Sequence, residues 1–315
     1  MISVKWDNNR LQENIELPQG WVFFCFNEGE NPLWCGITPN ICQRLRIIGA
    51  KAEQESQYAE MSGKADSLQI ETKPEAIDAL IRYKVYIQKH HPEYQQAIDP
   101  SSDYAYLAID AWRFPFVGIQ SHTTEDWTYV GPWRSRFFLT DVMDTLSRIL
   151  KIPFCETGTF PCEKLEKGIC KGYCLNLKED PQYDDIPDLN KLEDLLKEAY
   201  LHPRNGILEM VAQERDNYFN NLEFEKEDLL NTQIELLEKY RDWLNFFYVT
   251  KSLSFATEDF DVENGMMSRC RYENEEYLFP VPQTRFRENE RLALNLRDLD
   301  EARLIYEYYM KNIEG

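Results

Sequence analysis

Residues 21–26, Trp21-Val22-Phe23-Phe24-Cys25-Phe26, are apolar without interruption and rich in aromatic side chains, which predicts a β-strand. Asn27-Glu28-Gly29-Glu30-Asn31-Pro32 supplies turn residues, and Leu33-Trp34-Cys35-Gly36 reads as a short second strand. Asn40 is placed to cap a helix whose apolar positions are Ile41, Leu45 and Ile48. A stronger helical pattern covers 74–89. Pro74 stands in its first turn, Ile77, Leu80, Ile81, Val85 and Ile87 share one face, and His90-His91-Pro92 ends it.

Further on, alternation and β-rich composition predict strands at 104–109 and 116–119, then a turn at Tyr129-Val130-Gly131-Pro132-Trp133. Residues 138–152 carry Val142, Leu146, Ile149 and Leu150 at helical spacing. A cysteine-rich stretch at 155–174 follows, then an acidic, proline-containing linker at 181–187. Residues 188–247 read as helix with a break at His202-Pro203-Arg204-Asn205-Gly206. The end of the chain predicts strands at 253–255 and 277–281 and a helix over 292–310. The whole pattern is that of an α+β protein without long repeats.

At 315 residues the chain is long enough for two or three compact units. No apolar run reaches about 18 residues, so no membrane span is expected, and the first residues lack a basic-then-apolar signal. The expectation is a cytoplasmic protein. Charge narrows the partners. Lys and Arg number 35 against 55 Asp and Glu, a net charge of -20. Such a surface disfavours broad contact with phosphate backbones and agrees better with a protein partner. DNA contact is left to local patches such as Arg134 and Arg136 beside Trp133.

Four of the eight cysteines, Cys155, Cys162, Cys170 and Cys174, fall within 20 residues at the spacing C-x6-C-x7-C-x3-C. Four thiolates from one loop suit a soft metal centre, either an iron–sulfur cluster or a structural zinc. Gly158, Gly168 and Gly172 allow tight turns, and Lys164, Lys167 and Lys171 offset the charge of a tetrathiolate. Cys25, Cys35, Cys42 and Cys270 read as small buried hydrophobes or plain thiols, and no disulfide is expected in a reducing compartment.

The order of these features resembles the N-terminal two-thirds of UvrC, the incision subunit of bacterial nucleotide excision repair, across roughly residues 17–250. Gly20-Trp21-Val22-Phe23, Leu33-Trp34-Cys35-Gly36 and Arg44-Leu45 look like a GIY-YIG nuclease motif. Ile87-Gln88-Lys89-His90-His91-Pro92-Glu93-Tyr94 is similar to the segment that ends that domain. Tyr129 to Trp133, a helix and the four cysteines follow in the family's order. Asn221-Leu222-Glu223-Phe224-Glu225-Lys226 and Leu237-Glu238-Lys239 resemble the UVR helical hairpin. The resemblance implies a small GIY-YIG-like antiparallel sheet with flanking helices over 1–98 and a mixed linker domain with the cysteine site over 99–180. A UVR-like hairpin over 181–250 and a short β/α segment over 251–315 complete it. It further implies a 4Fe-4S cluster rather than zinc on the four cysteines, and a UvrB-like partner docking at Leu222, Phe224 and Leu229.

Where the resemblance implies chemistry, the residues depart from it. The two tyrosine positions hold Phe23 and Trp34, the lysine position holds Ile37, and the glutamate that binds a divalent metal aligns with Tyr83. Only Arg44 is kept. Glu75 lies eight residues before Tyr83, about 12 Å along a helix, and Asp78 is about 140° around it, so neither replaces the missing carboxylate. Metal-assisted phosphodiester hydrolysis needs a metal and an activator for the nucleophile. The 65 residues after the hairpin are fewer than the roughly 100 that an RNase H-like nuclease domain needs. Asp259, Asp261 and Glu263 read as a solvated strand face. The expectation is a non-catalytic scaffold of excision-repair type. The alternative is an active, divergent GIY-YIG endonuclease.

Overall fold

The structure, a computed structural model, describes residues 2–7, 10–11, 16–124, 126–152, 162–177, 188–202, 207–281 and 292–314. It is a mixed α+β chain that divides into two compact units. One comprises 1–100, 252–282 and 297–315; the other comprises 101–251 and 283–296. These units group the chain differently from the four segments drawn along the sequence, since 251–315 contributes to both.

The first unit begins with β1 (Ile2–Asp7), β2 (Arg10–Leu11), β3 (Val22–Glu28) and β4 (Asn31–Thr38), then α1 (Ile41–Ala52), α2 (Ser56–Lys64), β5 (Ser67–Thr72) and α3 (Ala76–His90). Its five-stranded sheet has the order β2-β1-β5-β3-β4. The unbroken apolar run of β3 follows from burial on both faces. Phe24, Phe26 and Trp34 pack with Trp6, Tyr58, Ile41, Leu45 and Ile48, while Phe23, Cys25 and Cys35 face Tyr83 and Tyr86 of α3. Gly36 is needed because a Cβ there would lie 2.7 Å from Phe24 Cζ. Asn40 caps α1 as expected, accepting from Gln43 N at 3.0 Å. Helix α3 starts later than predicted. Glu75 is its cap, in a reciprocal box with Asp78, and Pro74 stands ahead of it. Tyr86, not Ile87, completes the buried face, and His91 in the left-handed region ends the helix.

The second unit contains β6 (Ala105–Ile109), β7 (Val117–Gln120), β8 (Thr128–Trp133), α4 (Arg136–Ile149), α5 (Glu163–Glu166), α6 (Leu189–Leu201), α7 (Ile207–Asn220) and α8 (Phe224–Thr250). The expected turn at 129–133 is instead strand β8, paired along β6. Its burial is nearly complete, so Gly131-Pro132 lies within a sheet rather than at a bend. Trp133 stacks on Tyr240 of α8 with ring centroids 5.0 Å apart and 11° between planes, and Phe247 meets it edge-on at 5.4 Å. Tyr240 Oη donates to Tyr200 O at 2.7 Å and ties α6 to α8.

Four strands after α8 return to the first unit: β9 (Phe255–Ala256), β10 (Phe260–Glu263), β11 (Met266–Tyr272) and β12 (Glu275–Leu278), in the order β12-β11-β10-β9. The expected helix over 292–310 is a correction. Leu292–Ala293 form a short strand, β13, parallel to β8, and only Leu299–Asn312 are helical, as α9. Among the described residues no helix is long and apolar enough to cross a membrane.

Candidate functional site

The register of the β3–β4 hairpin decides which motif residues meet. Phe23 pairs with Ile37, Cys25 with Cys35, and Phe26 with Trp34. Strand side chains alternate between faces, so Phe23, Ile37 and the cysteines lie on the α3 side and Trp34 on the other. Trp34 is buried with the α1 residues, and its indole Nε1 has no hydrogen-bond partner among the described residues. Arg44, on α1, is partly buried. Its charge, with that of Lys51, opposes the rise that burial imposes on the Tyr58 phenol. The motif positions are therefore split across the sheet, Trp34 and the Arg44 helix on one face and Phe23, Ile37 and Tyr83 on the other.

On the α3 side the space is filled. The expectation that Cys25 and Cys35 are separate thiols is corrected: the two face each other across the hairpin and form a disulfide. Phe23 contacts Tyr86 at 5.0 Å between centroids. The Arg82 guanidinium stands 5.1 Å from the Phe23 ring and 5.0 Å from Tyr86. Glu71, opposite Phe23 in the β3–β5 register, is a carboxylate beside these motif residues that the sequence reading missed. It is committed to Arg82 Nε at 2.9 Å and Lys73 Nζ at 2.6 Å. Burial opposes its charge, but those two hydrogen bonds prevail and hold its carboxyl below the ordinary value.

Tyr83 stands where the resemblance implies a metal-binding glutamate. Gln95 Nε2 donates to its hydroxyl at 3.0 Å. The same side chain accepts from Cys35 N at 3.1 Å and donates to Cys35 O at 3.3 Å, bracketing the strand. Burial, reinforced by the nearby Glu301 charge, pushes the Tyr83 phenol up to about 12. Glu301 reaches this region from α9, where it binds Lys84 Nζ at 2.6 Å and accepts from Met267 N at 3.0 Å. Nothing in a local pattern signals Gln95 or Glu301, because both act across long sequence separations.

In the second unit Cys162, Cys170 and Cys174 are partly buried, and Cys155 lies outside the described residues. The Cys162 carbonyl accepts from Leu165 N and Glu166 N, starting α5. Lys164 O then receives the amides of Ile169 and Cys170. Gly168 and Gly172 adopt positive φ, 67° and 78°, and Gly172 N donates to Cys170 Sγ at 3.2 Å. Among the described residues no three His, Cys, Asp or Glu side chains gather as a metal-binding group. Cys42 is exposed; Cys270 is buried, and burial pushes its thiol up to about 11.

The hairpin of α7 and α8 turns at 221–223. Leu222, Phe224 and Leu229 are 73%, 51% and 54% exposed.

Curated relatives named UvrABC system protein C match most of this chain. That of Fervidobacterium nodosum is 24% identical over 242 residues, 75% of this chain and 40% of the relative. That of Ectopseudomonas mendocina is 23% identical over 275 residues, 85% and 43% respectively. That of Methanococcus maripaludis is 23% identical over 220 residues, 68% and 40%. These matches support a UvrC-like relationship. The chain spans about 40% of the length of these relatives. No family model matches it, and no solved structure does.

Proposed function

We propose that this chain is a UvrC-like protein of nucleotide excision repair type that serves as a non-catalytic, partner-binding scaffold. The observation that carries this reading is the filled face beneath α3. The position where the resemblance implies a metal-binding carboxylate holds a tyrosine tied to Gln95, and Glu71, opposite Phe23, is committed to two cations. With Phe23, Ile37 and Tyr83 in place of a hydroxyl, an amine and a carboxylate, the motif positions themselves supply neither a metal-binding carboxylate nor an activator for a nucleophilic water. The testing experiment is a nicking assay on damaged and undamaged duplexes with magnesium or manganese. No cleavage is expected. Cleavage that disappears in Arg44→Ala overturns the scaffold reading in favour of a divergent endonuclease.

The cysteine loop belongs to the same reading as the site of an iron–sulfur cluster, held by Cys155, Cys162, Cys170 and Cys174. The donor set fits. Cys170 Sγ accepts the Gly172 amide, and a loop shaped by two positive-φ glycines gives the backbone the freedom to wrap a cluster. Bound there, the cluster supplies a covalent hub that joins the loop, as soft metal centres do in small folds. The hairpin at Leu222, Phe224 and Leu229 is the docking element for a UvrB-like protein.

A further inference from the structure

An arginine side chain presents its N–H donors in one rigid plane and keeps its charge in any protein setting. Arg82 of α3 is only 15% exposed, yet a single nitrogen is engaged: Nε donates to Glu71 Oε2 at 2.9 Å. Among the described residues Nη1 and Nη2 have no hydrogen-bond acceptor. Three rings stand around the guanidinium instead, Phe23 at 5.1 Å, Tyr86 at 5.0 Å and Tyr272 of β11 at 5.9 Å. Rings hold a cation and keep water off its faces, but they are weak hydrogen-bond acceptors. A partly desolvated donor without an acceptor costs free energy, so the outer edge of this guanidinium is prepared for an oxyanion.

A second cation stands beside it. Lys73 Nζ binds the other oxygen of the same carboxylate, Glu71 Oε1, at 2.6 Å and is 13% exposed. Its ammonium lies 5.8 Å from the same Tyr272 ring. One carboxylate thus bridges two cations, and the three groups together keep one net positive charge. That excess is felt nearby. His90 is tilted over Tyr86 at 4.3 Å, and its imidazole is held below the ordinary value by burial and then by the charges of Arg82 and Lys89. In a chain of net charge -20, two half-buried cations that outnumber their carboxylate form a local exception. Tyr272 belongs to the same compact unit as α3, and the nuclease resemblance assigns nothing to Lys73, Arg82 or Tyr272.

Oxygen count specifies the ligand. The free edge of an arginine takes two oxygens side by side, and an ammonium that gives one N–H to a carboxylate has others to spare. A carboxylate has two oxygens and a phosphodiester has two free ones, so the arginine alone uses up either. A phosphate group with three free oxygens gives two to Arg82 and the third to Lys73. Its charge at neutral pH, about -1.5 to -2, also draws more from the paired cations than a single charge does.

The geometry points to an anion site at Lys73, Arg82 and Tyr272 that binds a phosphate group with three free oxygens, as the free ion or as a small phosphate monoester. This goes beyond the scaffold reading and does not depend on it.

The test is isothermal titration of the full chain at about pH 7.5, where the second phosphate proton is lost, and at constant ionic strength. The probes are phenyl phosphate, inorganic phosphate, dimethyl phosphate and acetate. The first two are expected to bind at least about 10-fold more tightly than the last two. Tighter binding of phenyl phosphate than of inorganic phosphate assigns a monoester lying on the Tyr272 ring; equal binding assigns the free ion. Arg82→Lys keeps the charge and loses the planar fork, and should weaken phosphate binding by about 10-fold. Lys73→Gln should bring phosphate down to the level of acetate. Melting temperatures without ligand identify any variant that fails to fold, and the preference among the four anions is read on the wild-type chain alone.

No binding of either phosphate, equal binding of all four anions, or unchanged phosphate binding by Arg82→Lys overturns the proposal. So does an unphosphorylated DNA duplex that binds more tightly than phenyl phosphate and is lost in Arg82→Lys, because the cations would then be contacts for a phosphodiester backbone.

Discussion

Tyr83→Glu restores in register the carboxylate that the nuclease resemblance implies, and on the scaffold reading no nicking activity is expected from it. The substitution removes the hydrogen bond from Gln95 Nε2, about 1 kcal/mol. It also removes the phenol ring packed against the Phe23, Cys25, Cys35 and Tyr86 cluster, about 2 kcal/mol of apolar burial. The new carboxylate would stand in the surroundings that push the Tyr83 phenol up to about 12 by burial and by Glu301. A carboxyl raised there by about two pH units destabilises its ionised form by about 2.7 kcal/mol.

The pH dependence follows from that direction. The folded-state value lies above the unfolded one, so below about pH 4.3 the group is protonated in both states and adds no penalty. As pH rises towards the folded value the unfolded state sheds its proton first and stability falls. The variant should be about 3 kcal/mol less stable than wild type near pH 4 and about 6 kcal/mol less stable at pH 7.5. Tyr83→Gln, with no charge to bury, should lose about 3 kcal/mol at both. Urea unfolding at the two pH values measures this. Equal losses for Tyr83→Glu at both, or a manganese-dependent rise in its melting temperature accompanied by nicking, would show that the face admits a metal and that the reasoning is wrong.

Glu301→Ala should cost about 3 kcal/mol, because Lys84 and Glu301 are each only 14% exposed and the lysine is left without its carboxylate; chemical unfolding reads the loss, and a change below about 1 kcal/mol, the range of exposed pairs, would place the pair in solvent. Anaerobically purified protein should be brown with about four irons per chain, and Cys170→Ser should lose the iron and lower protection of 162–177 from hydrogen exchange. A colourless protein with stoichiometric zinc would keep the site and discard the cluster.

The β3–β4–α1 and α3 elements were legible because each has a strong local pattern: an apolar run, a two-residue turn, an asparagine cap and a helical stripe. The split of Phe23 and Trp34 across the sheet follows from their odd separation once the register is known, which the motif spacing alone does not supply. The Cys25–Cys35 pair follows from the same register, and compartment arguments had pointed away from it. The C-terminal region was harder to read. β10 and β11 alternate polar outward residues such as Asp261 and Arg269, which pair at 2.6 Å, with inward Val262 and Met267, and short strands of this kind resemble solvated chain. Leu292-Ala293-Leu294 fits helical spacing as well as a strand, and only its partner β8 decides. That residues 252–278 belong with α3 is a matter of long-range packing that no local window contains.

Helix α8 runs unbroken for 27 residues from the exposed Phe224 to Thr250. Tyr240, stacked on Trp133, is 16 residues from Phe224, a distance of about 24 Å along the axis. Tip and aromatic stack are therefore two ends of one rigid rod, with no joint between them to absorb motion. Torque applied where a partner grips the tip reaches the Trp133 stack directly, and the intrinsic fluorescence of Trp133 becomes a gauge of load on the hairpin.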